Sequence, residues 1–289
     1  LILDYIDIDL PESALPKNRI LMLDVIANND WKRPIYFSGG SFDKAEYIWM
    51  KEYLQLDGLV YKLVPIRTEN ESPFEMGRID SELMYEIVKK WEWGNSSSSD
   101  IYHDPQTRSQ GLSFRSNLAR LVEQLLKEEK IDKAKDIIEI AMTHIPFEHY
   151  GFYTFVEPFV DGYYKVGEKL KAHALFEKLK KVYQERLEYY AGVPRDQQYE
   201  QIEAILADME AYRRNIDILI RNQDRERAEK ETLIFNEYLD KFSNFIGEED
   251  QEYLSEPNVI DPDIEDTLTM DSIPLDTIPA VEDGVIIEE

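Results

Sequence analysis

The chain has 289 residues, 43% of them apolar, and carries 59 acidic against 33 basic side chains for a formal charge of −26. That is enough apolar material for a sizeable core in one large or two ordinary domains. The acidic balance argues against binding to nucleic acid or, by charge, to anionic lipid, and points to protein or peptide partners that are neutral or basic.

There are no cysteines. Disulfides and thiolate chemistry are thereby excluded, and both a reducing cytoplasm and a bacterial periplasm remain compatible. No apolar run approaches the roughly 20 residues that span a bilayer, and Leu1 is not preceded by a basic and then apolar leader. The chain reads as a fragment of something longer.

From Asp4 to Leu10 apolar Ile6, Ile8 and Leu10 alternate with Asp7 and Asp9, the period of a half-buried strand. Lys17 to Asn29 carries too many aliphatic residues for one face and predicts a largely buried helix. Arg33 to Ser38 predicts a strand, Gly39-Gly40 a turn, and Asp43 with Glu46 a capping box that opens a helix to Leu54. Asp57-Gly58 ends that helix and Leu59 to Ile66 follows as a second strand. Residues 33–66 are therefore expected to form a βαβ unit with parallel strands and a right-handed crossover. A further helix from about Asp80 to Trp93 completes a small α/β portion, residues 1–93.

Residues 94–111, with four consecutive serines and Pro105, predict a loop or linker. Beyond it the chain repeats itself. Leu125-Leu126-Lys127-Glu128-Glu129-Lys130-Ile131-Asp132-Lys133-Ala134 returns as Tyr163-Tyr164-Lys165-Val166-Gly167-Glu168-Lys169-Leu170-Lys171-Ala172, an offset of 38 residues. Each copy reads as a helix, a short polar turn ending in Lys-Ala, and a second helix. Neither half can bury its apolar stripe alone, so stacked helical hairpins similar to tetratricopeptide repeats, whose period is about 34, are expected over residues 112–246. A third helix pair, Asp196 to about Asn222 and roughly Arg225 to Phe245, is expected to cap them. The fold class is thus mainly α, with helical hairpin repeats after a small α/β portion. Residues 247–289, with 15 acids and no base, are expected to form an extended acidic tail that could dock on its own domain.

Candidate chemistry is sparse. Gly39-Gly40 lies where backbone amides can hold an anion, yet neither a dinucleotide-binding nor a Walker motif is present, so an ordinary turn is the better reading. His144 and His149 flank Glu148, but with Pro146 between them they cannot share a helix face as metal-binding histidines would. His103 and His173 are isolated. Asp261, Asp263 and Glu265 imitate the start of a calcium loop whose later positions, Asp266 and Ser272, are wrong for it. Trp91 with Trp93, and Tyr150 with Phe152 and Tyr153, could stack on a sugar ring but more often belong to a core. No catalytic residue, metal or cofactor is assigned.

One stretch carries a resemblance. Leu21-Met22-Leu23-Asp24-Val25-Ile26-Ala27-Asn28-Asn29-Asp30-Trp31-Lys32-Arg33-Pro34-Ile35-Tyr36-Phe37 and Tyr53-Leu54-Gln55-Leu56-Asp57-Gly58-Leu59-Val60-Tyr61-Lys62-Leu63-Val64-Pro65-Ile66 resemble the soluble C-terminal region of the bacterial family "domain of unknown function 2723". These are large multi-pass membrane proteins grouped with the protein O-mannosyltransferases. The resemblance continues through Leu118-Ala119-Arg120-Leu121 and Lys133-Ala134, about residues 15–190 in all. It implies a periplasmic domain of a membrane glycosyltransferase-like protein, acting in protein or acceptor recognition. The family's catalytic acidic residue lies in the membrane part, so none is carried onto this chain. The competing expectation is a free-standing helical-repeat adaptor. The tail also holds three pentads opening Asp266-Thr267-Leu268, Asp271-Ser272-Ile273 and Asp276-Thr277-Ile278, which resemble acceptors of a bacterial O-glycosylation system and make Thr267, Ser272 and Thr277 candidate glycan acceptors.

Overall fold

The computed structural model describes residues 2–8, 15–38, 48–68, 76–243 and 245. The chain divides into two compact units. Among the described residues the first comprises 2–56 and Tyr61–Arg78, and the second comprises Asp57–Val60 and the chain from Ile79 onward. The tail with Thr267, Ser272 and Thr277, the calcium-like acids, Gly39-Gly40 and the Asp43–Glu46 capping box all lie outside the described residues.

In the first unit, α1 (Lys17–Asn29) forms where expected and ends at Asp30, whose left-handed backbone (φ 50°) stops the helix. It is not largely buried. Arg19 is its one buried side chain, Met22, Leu23 and Ile26 are half-buried, and Ile20, Leu21 and Val25 are more than half exposed. Aliphatic residues occupy two flanks of this helix, and only one flank packs.

The sheet is built from β1 (Tyr36–Ser38), β2 (Leu54–Asp57) and β3 (Val60–Leu63), in the order β1-β3-β2, with antiparallel strands. The expected parallel βαβ unit is therefore replaced by a hairpin. Gly58, at φ 71°, opens its two-residue turn, and Asp57-Gly58 is a hairpin signal rather than a helix end. A 3-10 turn, Ile48–Tyr53, leads directly into β2. Residues 2–8 form no strand, although the Leu3 N–H donates to the Pro65 carbonyl at 2.8 Å.

From Ile79 onward the described residues of the second unit form helices and their connections. It opens with α2 (Ser81–Val88), whose N-cap Asp80 accepts from the Leu83 N–H. Next comes α3 (Pro105–Lys127), which begins well inside the expected linker of residues 94–111. Asp104 caps it by accepting from the Gln106 and Thr107 N–H groups, and Pro105 takes the first helical position, where a missing N–H costs nothing. After α4 (Ile131–His144) come the short α5 (Phe147–Tyr150) and a 3-10 turn (Tyr153–Val156). Then follow α6 (Glu157–Lys165), α7 (Lys169–Gly192), α8 (Arg195–Glu200), α9 (Ile202–Arg221) and α10 (Arg225–Phe242).

Three of these pairs, α3/α4, α6/α7 and α9/α10, are equivalent hairpins. Each first helix stops at a left-handed residue, Glu129, Gly167 or Gln223, with φ of 58°, 79° and 58°. The next N–H then reaches back to close the turn: Lys130 to the Leu125 carbonyl, Glu168 to Tyr163 and Asp224 to Leu219, at 2.8, 2.8 and 2.9 Å. The third pair, expected to be an atypical cap, is thus a full copy.

Five positions after each left-handed residue stands a buried alanine, Ala134, Ala172 or Ala228. The small side chain lets the first and second helices of a hairpin approach. Leucine at any of the three should overpack this contact and cost about 1–3 kcal/mol. Chemical denaturation of the three variants checks this, and Ala228→Leu tests in particular the equivalence of the third hairpin.

Successive hairpins stack, with α4 against α6, α7 against α9, and the first helices α3, α6 and α9 side by side. Gly162 permits the first of these approaches, since a Cβ there would stand 2.9 Å from the Ile138 Cδ1. On the other side of the stack, α2 is tied to the first hairpin. Tyr85 and Lys89 both donate to Asp136 at 2.7 Å, the Ser81 hydroxyl donates to Glu128 at 2.6 Å, and Lys133 pairs with Glu82.

Candidate recognition face

The first helices of the three hairpins present one recurring polar element. Six positions before each left-handed residue is an acid, and four positions after that acid is a base: Glu123 and Lys127, Asp161 and Lys165, Asp217 and Arg221. In the first two hairpins this rung is closed, at 3.1 and 2.8 Å. In the third, Asp217 is only 5% exposed and makes no hydrogen bond or ion pair among the described residues. Burial pushes its carboxyl up to about 6, against the pull of Arg213, Arg221 and Arg214.

Between α6 and α9 the rungs are linked by charge. Arg214 reaches Glu157 at 3.0 Å and Glu210 at 3.2 Å, while the Tyr183 hydroxyl of α7 donates to the other oxygen of Glu157 at 3.1 Å. Glu157 is almost wholly buried. Burial is the strongest influence on it and raises its pKa, while Arg214 and Tyr183 pull in the opposite direction. Asn222 at the end of α9 donates to Asp161 at 2.7 Å and completes the seam. The result is a strip of acids and cations on the first helices that recurs once per hairpin, with Glu157, Asp161 and Asp217 buried in it.

The residues singled out from sequence sit elsewhere. His144 stacks on Trp93, with ring centroids 4.9 Å apart and planes within 3°. His149 stacks on His103 at 5.5 Å, and Glu148 pairs with Lys178. These three neighbours in sequence thus face different partners, and among the described residues no group of His, Asp and Glu is arranged to hold a metal. Trp91 packs edge-on against Trp93 and Phe114, and Tyr150 is buried with its hydroxyl on the Ser96 carbonyl. Both aromatic clusters are packed into the unit.

Sequence reading passed over two features of this region. Arg115 of α3 is fully buried and donates to the carbonyls of Ile145, Gly151 and Phe152 at 3.0, 2.7 and 3.1 Å. The open third rung was also missed, although the spacing of Asp217 and Arg221 repeats that of the other two.

The fold and this strip define a class: stacked helical hairpins with a polar face on their first helices, in a chain that also carries a small antiparallel sheet unit. A family model described as TMEM260-associated domain 2 matches residues 1–83, the sheet unit and the start of α2. No curated protein and no solved structure matches the chain.

Proposed function

We propose that the hairpin unit is a protein-recognition domain of the tetratricopeptide kind, and that the chain is a non-catalytic, periplasmic part of a multi-pass membrane protein related to glycosyltransferases. The observation that carries the recognition reading is the acid–base rung repeated on α3, α6 and α9, since stacked hairpins use such first-helix faces to hold extended peptides. The family match, whose name refers to a TMEM260 protein, supports the membrane context. The glycosyltransferase relation and the periplasmic side rest on the resemblance over residues 15–190. Among the described residues no helix is long and apolar enough to cross a membrane.

Neutral or basic partners suit the more exposed acids of the strip, Glu123 and Glu210. Glu123→Lys with Glu210→Lys reverses its two more exposed acids, and i, i+4 pairs that water reaches, as it reaches these, contribute little to stability. The double variant should keep its melting temperature while its capture of periplasmic proteins at low salt falls about ten-fold or more, as expected for a charged contact that sets specificity. Capture unchanged by the reversal would remove this face from consideration.

A free-standing adaptor is the second reading, favoured by the way α2 packs on the first hairpin and closes that end of the stack. The coding sequence upstream of Leu1 separates the two. Many hydrophobic spans there support the membrane protein, and an immediate start codon or a cleavable leader supports the adaptor.

A further inference from the structure

Arg214, Asp217 and Arg221 follow one another at spacings of three and four, so they share one side of α9. Two bridges cross from α9 and its end to α6, Arg214 to Glu157 at 3.0 Å and Asn222 to Asp161 at 2.7 Å. Asp217 lies between them along the helix and crosses to nothing. It is 5% exposed, and neither it nor the exposed Arg221 forms a hydrogen bond or ion pair among the described residues. In the other two hairpins the equivalent base closes the rung. The Asp217 oxygens are nevertheless not sealed. Among the described residues the sealed side-chain atoms without a partner include Asn215 Oδ1 of the same helix, but neither oxygen of Asp217. A narrow group can therefore reach them.

We propose that the partner completes the third rung with an amide, whose N–H donates to Asp217 and whose carbonyl accepts from Arg221. This deepens the recognition reading given above and rests on it. Other chemistries fit worse. An incoming carboxylate would meet the Asp217 charge, and an incoming ammonium or guanidinium would meet Arg213, Arg214 and Arg221, all of which act on Asp217. An amide has no net charge and holds a donor and an acceptor in one plane. It thus serves an acid and a base that do not reach each other. The closed rungs need nothing from a partner. At the open one, a partner without the amide leaves a buried carboxylate unpaired, so this single position discriminates strongly among peptides. The amide is that of a glutamine or asparagine side chain, or that of the partner's backbone.

Retention of short peptide pools on the immobilised full chain tests this. The pools carry glutamine, glutamate, lysine or leucine at the centre, between flanks of glycine, alanine, serine and threonine. Wild type should retain the glutamine pool about ten-fold better than the others. Asp217→Leu should reduce it to the leucine level, and Asp217→Asn, which offers an N–H beside Arg221, should raise the glutamate pool to the glutamine level. Melting temperatures no lower than wild type show that both variants are folded. Equal retention of glutamine and leucine, both falling about ten-fold in Asp217→Leu, supports the proposal with a backbone amide. A preference for lysine, or retention that neither substitution changes, overturns it. Glu123→Lys with Glu210→Lys is the parallel control for the face itself. Retention that this reversal lowers and the Asp217 variants leave alone sinks the amide rung only, whereas no retention of any pool by wild type sinks both readings.

Discussion

Arg115→Met is expected to lower the stability of the hairpin unit by about 3–5 kcal/mol, among the largest effects of any single substitution in it. The methionine fills most of the volume but none of the hydrogen-bonding role. The carbonyls of Ile145 and Gly151 lose their donor, that of Phe152 keeps only the Phe155 N–H at 3.2 Å, and each buried acceptor left unpaired costs about 1–3 kcal/mol. These carbonyls belong to the connection between α4 and α6, where Phe152 holds a left-handed backbone (φ 52°) that is unfavourable for a residue with a Cβ. Arg115 is what pins that connection to α3. Burial lowers its pKa to about 10, partly opposed by Glu148 and Tyr150, so the guanidinium remains charged at neutral pH. Urea denaturation followed by circular dichroism measures the loss. Arg225→Met, at an exposed position, should change stability by less than about 0.5 kcal/mol. Equal effects of the two substitutions would show that the carbonyl bonds carry no special weight.

The sequence revealed hairpins where local chemistry repeats, and hid them where spacing drifts. The first two copies share Lys-Ala at one offset and were legible for that reason. The third, Leu219-Ile220-Arg221-Asn222-Gln223-Asp224-Arg225-Glu226-Arg227-Ala228, matches the first copy in polarity at most positions but has Asp224 and Arg225 where that copy has Lys130 and Ile131. It was missed because the length of α7 and the inserted α8 push it out of period, and because Arg-Ala replaces Lys-Ala. Its left-handed residue is Gln223, and that of the first copy is Glu129, so glycine marks only one turn of three.

Pro105 was read as a breaker when, behind Asp104, it is a helix start. Leu54 and Leu56 alternate as a strand does, but the expected helix runs to Leu54 and so hides the hairpin that Asp57-Gly58 announces. The surplus of aliphatic residues on α1 signalled burial, yet composition cannot say how many flanks find a partner. In the candidate site, the acid–base spacing of the three rungs could be read directly. Whether a rung is closed, or which carbonyls Arg115 meets, depends on residues far away in the chain and left no trace in any local pattern.

The open rung leads to the second large effect, of opposite sign. Asp217 has its carboxyl raised from an ordinary 3.8 to about 6, chiefly by burial. The folded protein therefore binds a proton that the unfolded chain releases, and stability falls as pH rises through the window from about 4 to about 6. Below that window Asp217 is protonated in both states and imposes no penalty; above it the penalty is complete. One pKa unit corresponds to about 1.4 kcal/mol, so the full penalty is on the order of 2–3 kcal/mol at pH 7.5. Asp217→Asn keeps the shape of the side chain and removes the titration. It should stabilise the hairpin unit by that amount at pH 7.5 and leave it nearly unchanged at pH 4. Urea denaturation of wild type and variant at the two pH values decides the matter, because effects common to both proteins cancel in the difference. A variant destabilised at pH 7.5, or shifted equally at both, would mean that the Asp217 carboxylate is satisfied in the folded protein and that the third rung is closed like the other two.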